Sequence, residues 1–283
     1  YFPQFYLFEK ENPVMAFPNP FYQIYEGAAI ASKAKIIHMP LLKENNFQAS
    51  LTPEQMKEAD LVIINYPSNP TSANMNMESM KQWVQYALEY DFVLLNDECY
   101  SEIYFNETEK PVSLLEASIA AGNESFKNIL VVNSISKRSS APGLRSGFIA
   151  GDEAILKGYM KYRTYVGCAS PIPLQVASAA AWNDEKHVQF FRNTYKKNFE
   201  IAQNILGVDI PQSTFYIWLE VEDDEQFAKA LYQEKNIKVL PGRYLGRNDV
   251  GKGYIRIALV ENEQKTKEVL NRLKDFMNDT RRA

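Results

Sequence analysis

Several polar clusters in this 283-residue chain adjoin apolar runs, and their residue types could together handle a reactive carbonyl group and an organic anion. Asn65-Tyr66-Pro67-Ser68-Asn69-Pro70-Thr71 continues from Leu61-Val62-Ile63-Ile64, and Asp97-Glu98-Cys99-Tyr100 continues from Phe92-Val93-Leu94-Leu95-Asn96. Ser134-Ile135-Ser136-Lys137 continues from Ile129-Leu130-Val131-Val132-Asn133, with Arg145 eight residues beyond Lys137. A lysine near a basic group in a closed pocket can lose its proton and form a Schiff base with a carbonyl cofactor. Such a cofactor is an electron sink only while its ring nitrogen stays protonated, and a buried carboxylate favours that form. Asp97 is the candidate carboxylate. Arg145 and Ser134 could hold a phosphate group. Asn69 and Tyr100 could donate to a ring hydroxyl, and Tyr22 could lie over the ring as an aromatic lid. Arg256 falls in the otherwise apolar run Tyr254-Ile255-Arg256-Ile257-Ala258-Leu259. A buried arginine without a partner is costly, so an anionic ligand accounts for it better than solvent does. Taken singly, Lys137 would be a solvated lysine, Asp97 a turn cap and Tyr22 a packing residue; their shared placement at strand ends favours function.

The elements that must position these groups follow from periodicity. Lys35–Met39, Leu61–Asn65, Phe92–Asn96, Ile129–Asn133 and Gly147–Ala150 read as strands, the first of them preceded by Asn19-Pro20-Phe21-Tyr22. Thr52-Pro53-Glu54-Gln55 is a helix start with a capping box. Met77, Met80, Trp83, Val84, Ala87 and Leu88 share one helical face. Continuous apolar strands alternating with helices imply an α/β fold: a mainly parallel sheet covered on both faces, with ligands beyond the carboxyl ends of its strands. The last third differs. A long amphipathic helix through Val188, Phe191, Tyr195, Phe199, Ala202 and Ile205 stops at Gly207. Strand-like 214–221, helical 225–235, strand-like 254–259 and a final helix through Val269, Leu270, Leu273, Phe276 and Met277 complete a smaller α+β unit. The expected division is 1–178 for the large unit and 179–283 for the small one.

Composition is that of a soluble globular protein: 46% hydrophobic and 23% charged residues, with a formal charge of -4 and both signs interspersed. No basic face suggests nucleic acid, and the terminal Arg281-Arg282 pair reads as a solvated end. No apolar run reaches membrane-spanning length. Cys99 and Cys168 form no disulfide framework, which favours a reducing cytoplasm. With only His38 and His187, no metal site is expected. The aromatic opening Tyr1–Phe8 has no basic leader and resembles the interior of a core, as in a chain whose natural start lies further upstream.

Asn-Pro-Thr at 69–71, Asp97 with Tyr100, Ser134-x-Ser136-Lys137, Arg145 eight residues on and the strand bearing Arg256 occur in this order from about Phe17 to Leu259. In that arrangement the sequence resembles the class I and II aminotransferases of pyridoxal-phosphate fold type I, the aspartate aminotransferase superfamily. The resemblance implies pyridoxal 5'-phosphate as cofactor, with Lys137 carrying it and later moving the substrate's α-proton. It implies Asp97 on the pyridine nitrogen, Asn69 and Tyr100 on the phenolic oxygen, Ser134 and Arg145 on the phosphate, and Tyr22 stacked on the ring. It implies Arg256, with Asn69, at the substrate α-carboxylate, and cis peptides at Asn69-Pro70 and Asn19-Pro20. It further implies a homodimer with shared active sites, and a phosphate-binding helix start and a closing segment that would both precede Tyr1. One departure is Ser72, where the family usually has glycine, read here as backbone geometry rather than chemistry. The runs Phe17–Ala28 and Phe215–Leu219 are similar to bacterial N-succinyldiaminopimelate aminotransferases of lysine and cell-wall precursor synthesis, which implies that amino donor with 2-oxoglutarate or glutamate as partner. Arg243 or Arg247 could then reach the distal acid. Aspartate, a broad amino acid range, and a pyridoxal-phosphate-binding protein without turnover are the alternatives.

Overall fold

The computed structural model describes residues 1–280; the Arg281-Arg282 pair, expected to be a solvated end, lies outside the described residues. Six strands form the larger sheet: β1 (Val14–Asn19), β2 (Lys35–Pro40), β3 (Leu61–Ile64), β4 (Val93–Asp97), β5 (Ile129–Ser134) and β6 (Gly147–Gly151). Their order is β2-β1-β3-β4-β5-β6, parallel except for β6, which runs antiparallel to β5. Strands β3 and β4 are buried at every position, as expected when both faces are covered. Alternate residues of the same strands sort into two cores. Val62, Ile64 and Leu94 pack on one face, and Leu61, Ile63, Val93 and Leu95 on the other. Each such side chain taken fully out of water contributes about 1.5–3 kcal/mol before entropy is subtracted.

The connecting helices are α1 (Phe2–Leu7), α2 (Ile24–Ala31), α3 (Pro53–Glu58), α4 (Met77–Tyr90), α5 (Leu114–Ala120), α6 (Ile135–Arg138), α7 (Glu153–Arg163) and α8 (Ile172–Asn183). Thr52 caps α3 through the expected box, accepting from the Gln55 N–H while the Gln55 side chain accepts from the Thr52 N–H. Asn76 caps α4 through the Ser79 N–H, and Met80, Trp83, Val84 and Ala87 turn inward from that helix.

The smaller sheet is antiparallel, in the order β7-β9-β8, from β7 (Tyr216–Glu220), β8 (Leu240–Pro241) and β9 (Tyr254–Ala258). Helices α9 (Lys186–Leu206), α10 (Asp224–Lys235) and α11 (Glu263–Thr280) pack with it. Gly207 ends α9 with φ 72°, the left-handed conformation that glycine adopts without steric cost. Ile217 and Ile257 join Phe199, Leu231 and Leu270 in a core on one face of this sheet. Tyr216, Trp218, Tyr254 and Arg256 alternate with them and so lie on the opposite face.

One strand departs from expectation. The chain's first strand is β1, not Lys35–Met39, and it lies inside the sheet between β2 and β3. Pro18 hides it, because proline cannot donate to a ladder and argues against an interior strand. The structure accommodates it by limiting β1–β3 pairing to Met15 and Ala16, so Pro18 is matched only on the β2 side, with Met39. The Asn19-Pro20 and Asn69-Pro70 bonds are both cis, as is Tyr66-Pro67, which sequence reading did not single out.

Candidate active site

The carboxyl ends of β3, β4 and β5 lie side by side in the sheet. Asp97 is the last residue of β4 and pairs in register with Val132 of β5. Its side chain is 9% exposed. Oδ2 accepts a 2.6 Å hydrogen bond from the Tyr25 hydroxyl, and Oδ1 accepts from the Cys99 N–H at 3.2 Å. The backbone is fixed too, since Asn65 Nδ2 donates to the Asp97 carbonyl at 2.8 Å. Burial, and then the charge of Asp97, push the Tyr25 phenol well above its ordinary range. Burial and Asp97 also push the Cys99 thiol up, against the opposing ammonium of Lys137. The amine and the carboxylate therefore act on the same small region.

Lys137 sits in α6, the single turn that follows β5. It is half-buried, with Nζ 5.8 Å from the centre of the Tyr100 ring and 5.7 Å from that of Phe215. Among the described residues no carboxylate lies within ion-pair reach of it. Tyr100, three residues past Asp97, is buried, and its hydroxyl shares a 2.9 Å hydrogen bond with that of Tyr216. Burial, and then Tyr216, push the Tyr100 phenol well up. Tyr216 in turn lies under Arg256, whose guanidinium carbon is 4.4 Å from its ring centre. Arg256 Nη1 donates to Asn69 Oδ1 at 2.7 Å, and the Asn69 N–H is held by Asn65 Oδ1 at 2.9 Å. Arg256 also has no carboxylate partner among the described residues.

The remaining expected residues are held more loosely. Ser134 caps α6; its Oγ accepts from the Ser136 N–H at 3.2 Å and lies 2.9 Å from Ser136 Oγ. Ser134 pairs with Gly147 across the β5–β6 ladder, which sets Arg145 near it in the connecting turn. Arg145 is exposed, has φ 52°, and donates from Nη1 to the Pro142 carbonyl at 2.8 Å. Tyr22 is 47% exposed, and its ring meets that of Tyr25 edge-on at 5.9 Å.

Three features escaped sequence reading. Tyr25 was invisible as a ligand of Asp97 because nothing in one sequence signals a contact between residues 72 positions apart. Tyr216 was seen only as part of an aromatic run. Ser72 does more than accommodate a backbone turn: its hydroxyl shares a 2.6 Å bond with Thr214 Oγ1 and donates to the Tyr216 carbonyl at 2.9 Å. The reading of Arg243 and Arg247 as grips for a distal acid needs correction, since both are already engaged. Arg243 bonds the fully buried Asp224 at 2.9 Å through Nε, and Asp223 at 2.9 Å through Nη2. Arg247 Nε donates to Glu26 at 2.8 Å.

A doubly covered, mainly parallel sheet with an unpaired amine, a hydrogen-bonded carboxylate and a poised arginine at its strand ends defines a fold type I site for a carbonyl cofactor. The family model for "Aminotransferase class I and II" matches residues 4–273. An LL-diaminopimelate aminotransferase of Aquifex aeolicus is 32% identical over 282 residues, covering 95% of this chain and 70% of that protein. The crystal structure of aminotransferase AspB from Helicobacter pylori superposes with a TM-score of 0.94 at 51% identity, covering 97% of this chain and 73% of that one. An aminotransferase from Neisseria meningitidis gives 0.89 at 40% identity, with 97% and 73% covered. This chain belongs to the class I and II aminotransferases. Members of that family use pyridoxal 5'-phosphate, and the residues present suit it: Asp97 keeps lone pairs free on both oxygens, while Lys137 and Arg256 have no carboxylate partner among the described residues.

Proposed function

We propose that this chain moves the amino group of a diaminopimelate-type amino acid to 2-oxoglutarate, with N-succinyl-LL-2,6-diaminopimelate as donor. The observation that carries the transamination reading is Arg256, fixed by Asn69 and Tyr216 yet left without a carboxylate. An arginine so held is organised for the planar, two-toothed grip of a substrate α-carboxylate. Bound pyridoxal phosphate supplies an electron sink that makes the bonds to the substrate's α-carbon labile. In our reading, Asp97 keeps the ring nitrogen's proton in place, Asn69 and Tyr100 face the phenolic oxygen, and Ser134 and Arg145 hold the phosphate. Tyr22, beside Tyr25 and therefore beside Asp97, covers the ring. Nζ of Lys137 would hold the cofactor through its carbonyl carbon and, when free as an amine, would take the proton from the substrate's α-carbon and return it on the cofactor side.

A second donor, unmodified LL-diaminopimelate, is favoured by the name of the 32% identical relative and by the prior engagement of Arg243 and Arg247. Comparing kcat/KM for N-succinyldiaminopimelate, LL-diaminopimelate and aspartate, each with 2-oxoglutarate, decides between them; a clear preference for aspartate would overturn both. For the chemistry, borohydride should bleach the visible absorbance and fix the cofactor on the peptide containing Lys137. Lys137→Ala should lower transamination by roughly 10³-fold or more while the fold, followed by circular dichroism, is kept. Retained turnover, or fixation on a different lysine, would overturn the reading.

The division of the chain at 178/179 is part of the proposal. It cuts α8, but it is supported by the second sheet and its core lying wholly beyond it, apart from Phe105 packed at the edge. We also propose a homodimer with shared active sites, supported by large apolar side chains left exposed on and beside α7 and α8: Met160, Tyr165, Ile172 and Val176. Sedimentation equilibrium tests it. A cytoplasmic setting is favoured by two free cysteines; among the described residues no helix is long and apolar enough to cross a membrane.

A further inference from the structure

Resting on the reading of Asp97 as the partner of the cofactor's ring nitrogen, we propose that Tyr25 is a positioning residue: its hydroxyl fixes the Asp97 carboxylate and keeps the shared proton on the ring side. A carboxylate at a strand end can rotate about two side-chain bonds. Asp97 is denied that freedom by one donor on each oxygen, the Tyr25 hydroxyl at 2.6 Å on Oδ2 and the Cys99 N–H at 3.2 Å on Oδ1. The Tyr25 bond is the shorter of the two and joins different elements, the first turn of α2 to the end of β4. The phenol is itself immobilised. Tyr25 is buried, its ring packs 6.2 Å from that of Phe17, and Tyr22 closes its edge at 5.9 Å.

The chemistry follows from which partner can move a proton. The Tyr25 phenol is held protonated by burial and by the neighbouring carboxylate, so it donates throughout the working pH range. A permanent donor stabilises the anionic carboxylate over the neutral acid. With the acid form of Asp97 disfavoured, the proton between carboxylate and pyridine nitrogen stays on nitrogen, the state in which the ring draws electrons from the substrate. The titratable groups that bear on Asp97 and its partners are Tyr25, Cys99, Tyr100 and Lys137. Two of them meet the carboxylate from their side chains, the Tyr25 hydroxyl and the Cys99 thiol, and of the two the hydroxyl is much the stronger donor.

The test uses cofactor binding and spectra besides turnover. Tyr25→Phe keeps the ring and removes the donor. It should weaken the Kd for pyridoxal phosphate, followed by quenching of protein fluorescence, by on the order of tenfold to a hundredfold, the usual worth of a buried hydrogen bond to a charged group. It should also move the pH midpoint of the visible absorbance band. In an Asp97→Asn background the same substitution should change Kd less than twofold, because the bond's charged acceptor is gone. Incorporating 3-fluorotyrosine at position 25 preserves shape, strengthens the donor and should move the midpoint in the direction opposite to phenylalanine; it decides the matter even if Tyr25→Phe does not fold. An unmoved midpoint, an unchanged Kd, or an equal loss in both backgrounds would show Tyr25 to be packing only. A wild-type protein that takes up no pyridoxal phosphate would instead overturn the underlying reading.

Discussion

Asp97 at the end of β4 and Arg145 in the β5–β6 turn are proposed to grip the two ends of one cofactor, yet they are built on different principles. Asp97 is buried, ends an interior strand, and has a donor on each oxygen and another on its carbonyl. Arg145 is exposed, stands in a left-handed turn, and among the described residues bonds the Pro142 carbonyl of its own loop. The neighbouring β6 begins with exposed residues, whereas β4 is buried throughout. The difference teaches that the end assigned to the ring is fixed by the core, so on this proposal a change there should disturb the reaction itself. The proposed anionic end is carried by an exposed guanidinium and a partly exposed hydroxyl, so a change there should disturb binding and respond to salt.

The sharpest way to break this comparison is Asp97→Asn, which leaves the shape but removes the charge that favours the ring cation. Loss of one partner of a buried ion pair should lower kcat/KM by roughly 10²- to 10³-fold at saturating cofactor. Arg145→Ala should act otherwise: the Kd for pyridoxal phosphate rises about tenfold, more at low salt than at high, with kcat nearly restored by excess cofactor. If Arg145→Ala costs as much in kcat as Asp97→Asn, the two ends are not distinct.

A finer probe is Glu98, the residue that follows β4 and is buried beside Asn96 and the start of α5. Its Oε1 accepts from the Leu114 N–H at 2.8 Å, from Asn96 Nδ2 at 3.1 Å and from Ser113 Oγ at 3.2 Å. Burial outweighs these donors and pushes the carboxyl up to about 7, from an ordinary 4.5. Between those values the folded protein holds a proton that the unfolded chain has lost. Stability therefore falls as pH rises through that window and stays low above it. Glu98→Gln, whose neutral amide oxygen can still accept from the Leu114 N–H and a second donor, should be more stable than wild type at pH 8 by up to about 3 kcal/mol. The difference should fade toward pH 5. Urea melts at the two pH values measure it; a constant difference would mean that the carboxyl is ionised throughout.

Most of the sheet was legible because burial on both faces forces continuous apolar runs, and β3, β4 and β5 are such runs. The helix starts at Thr52 and the stop at Gly207 were legible because capping and left-handed turns demand particular residue types. Strand β1 was not, because Pro18 gives a local signal that only its one-sided pairing overrides. The site divided in the same way. The convergence of Asn69 with Arg256 was anticipated through motif order, since each lies in a short recognisable string. The Tyr25 bond to Asp97 and the Tyr216 bond to Tyr100 join residues far apart in sequence, and no periodicity encodes them. The acids that hold Arg243 and Arg247 were not legible, because a basic residue in a loop says nothing about which carboxylate it pairs with.

The bond between Ser72 and Thr214 has a mechanical meaning. Both residues stand at positive φ, 60° and 76°, a conformation that costs a β-branched residue such as Thr214 about 1–2 kcal/mol. That cost ties the turn carrying Asn69 to the start of the strand carrying Tyr216, and Ser213 adds a second tie to Asn74 at 3.0 Å. Asn69 and Arg256 are thus carried by segments that hydrogen bonds join across the two sheets. Any drift of Asn69 away from Arg256 would have to break these ties first, so the spacing of the pair is set within the fold itself.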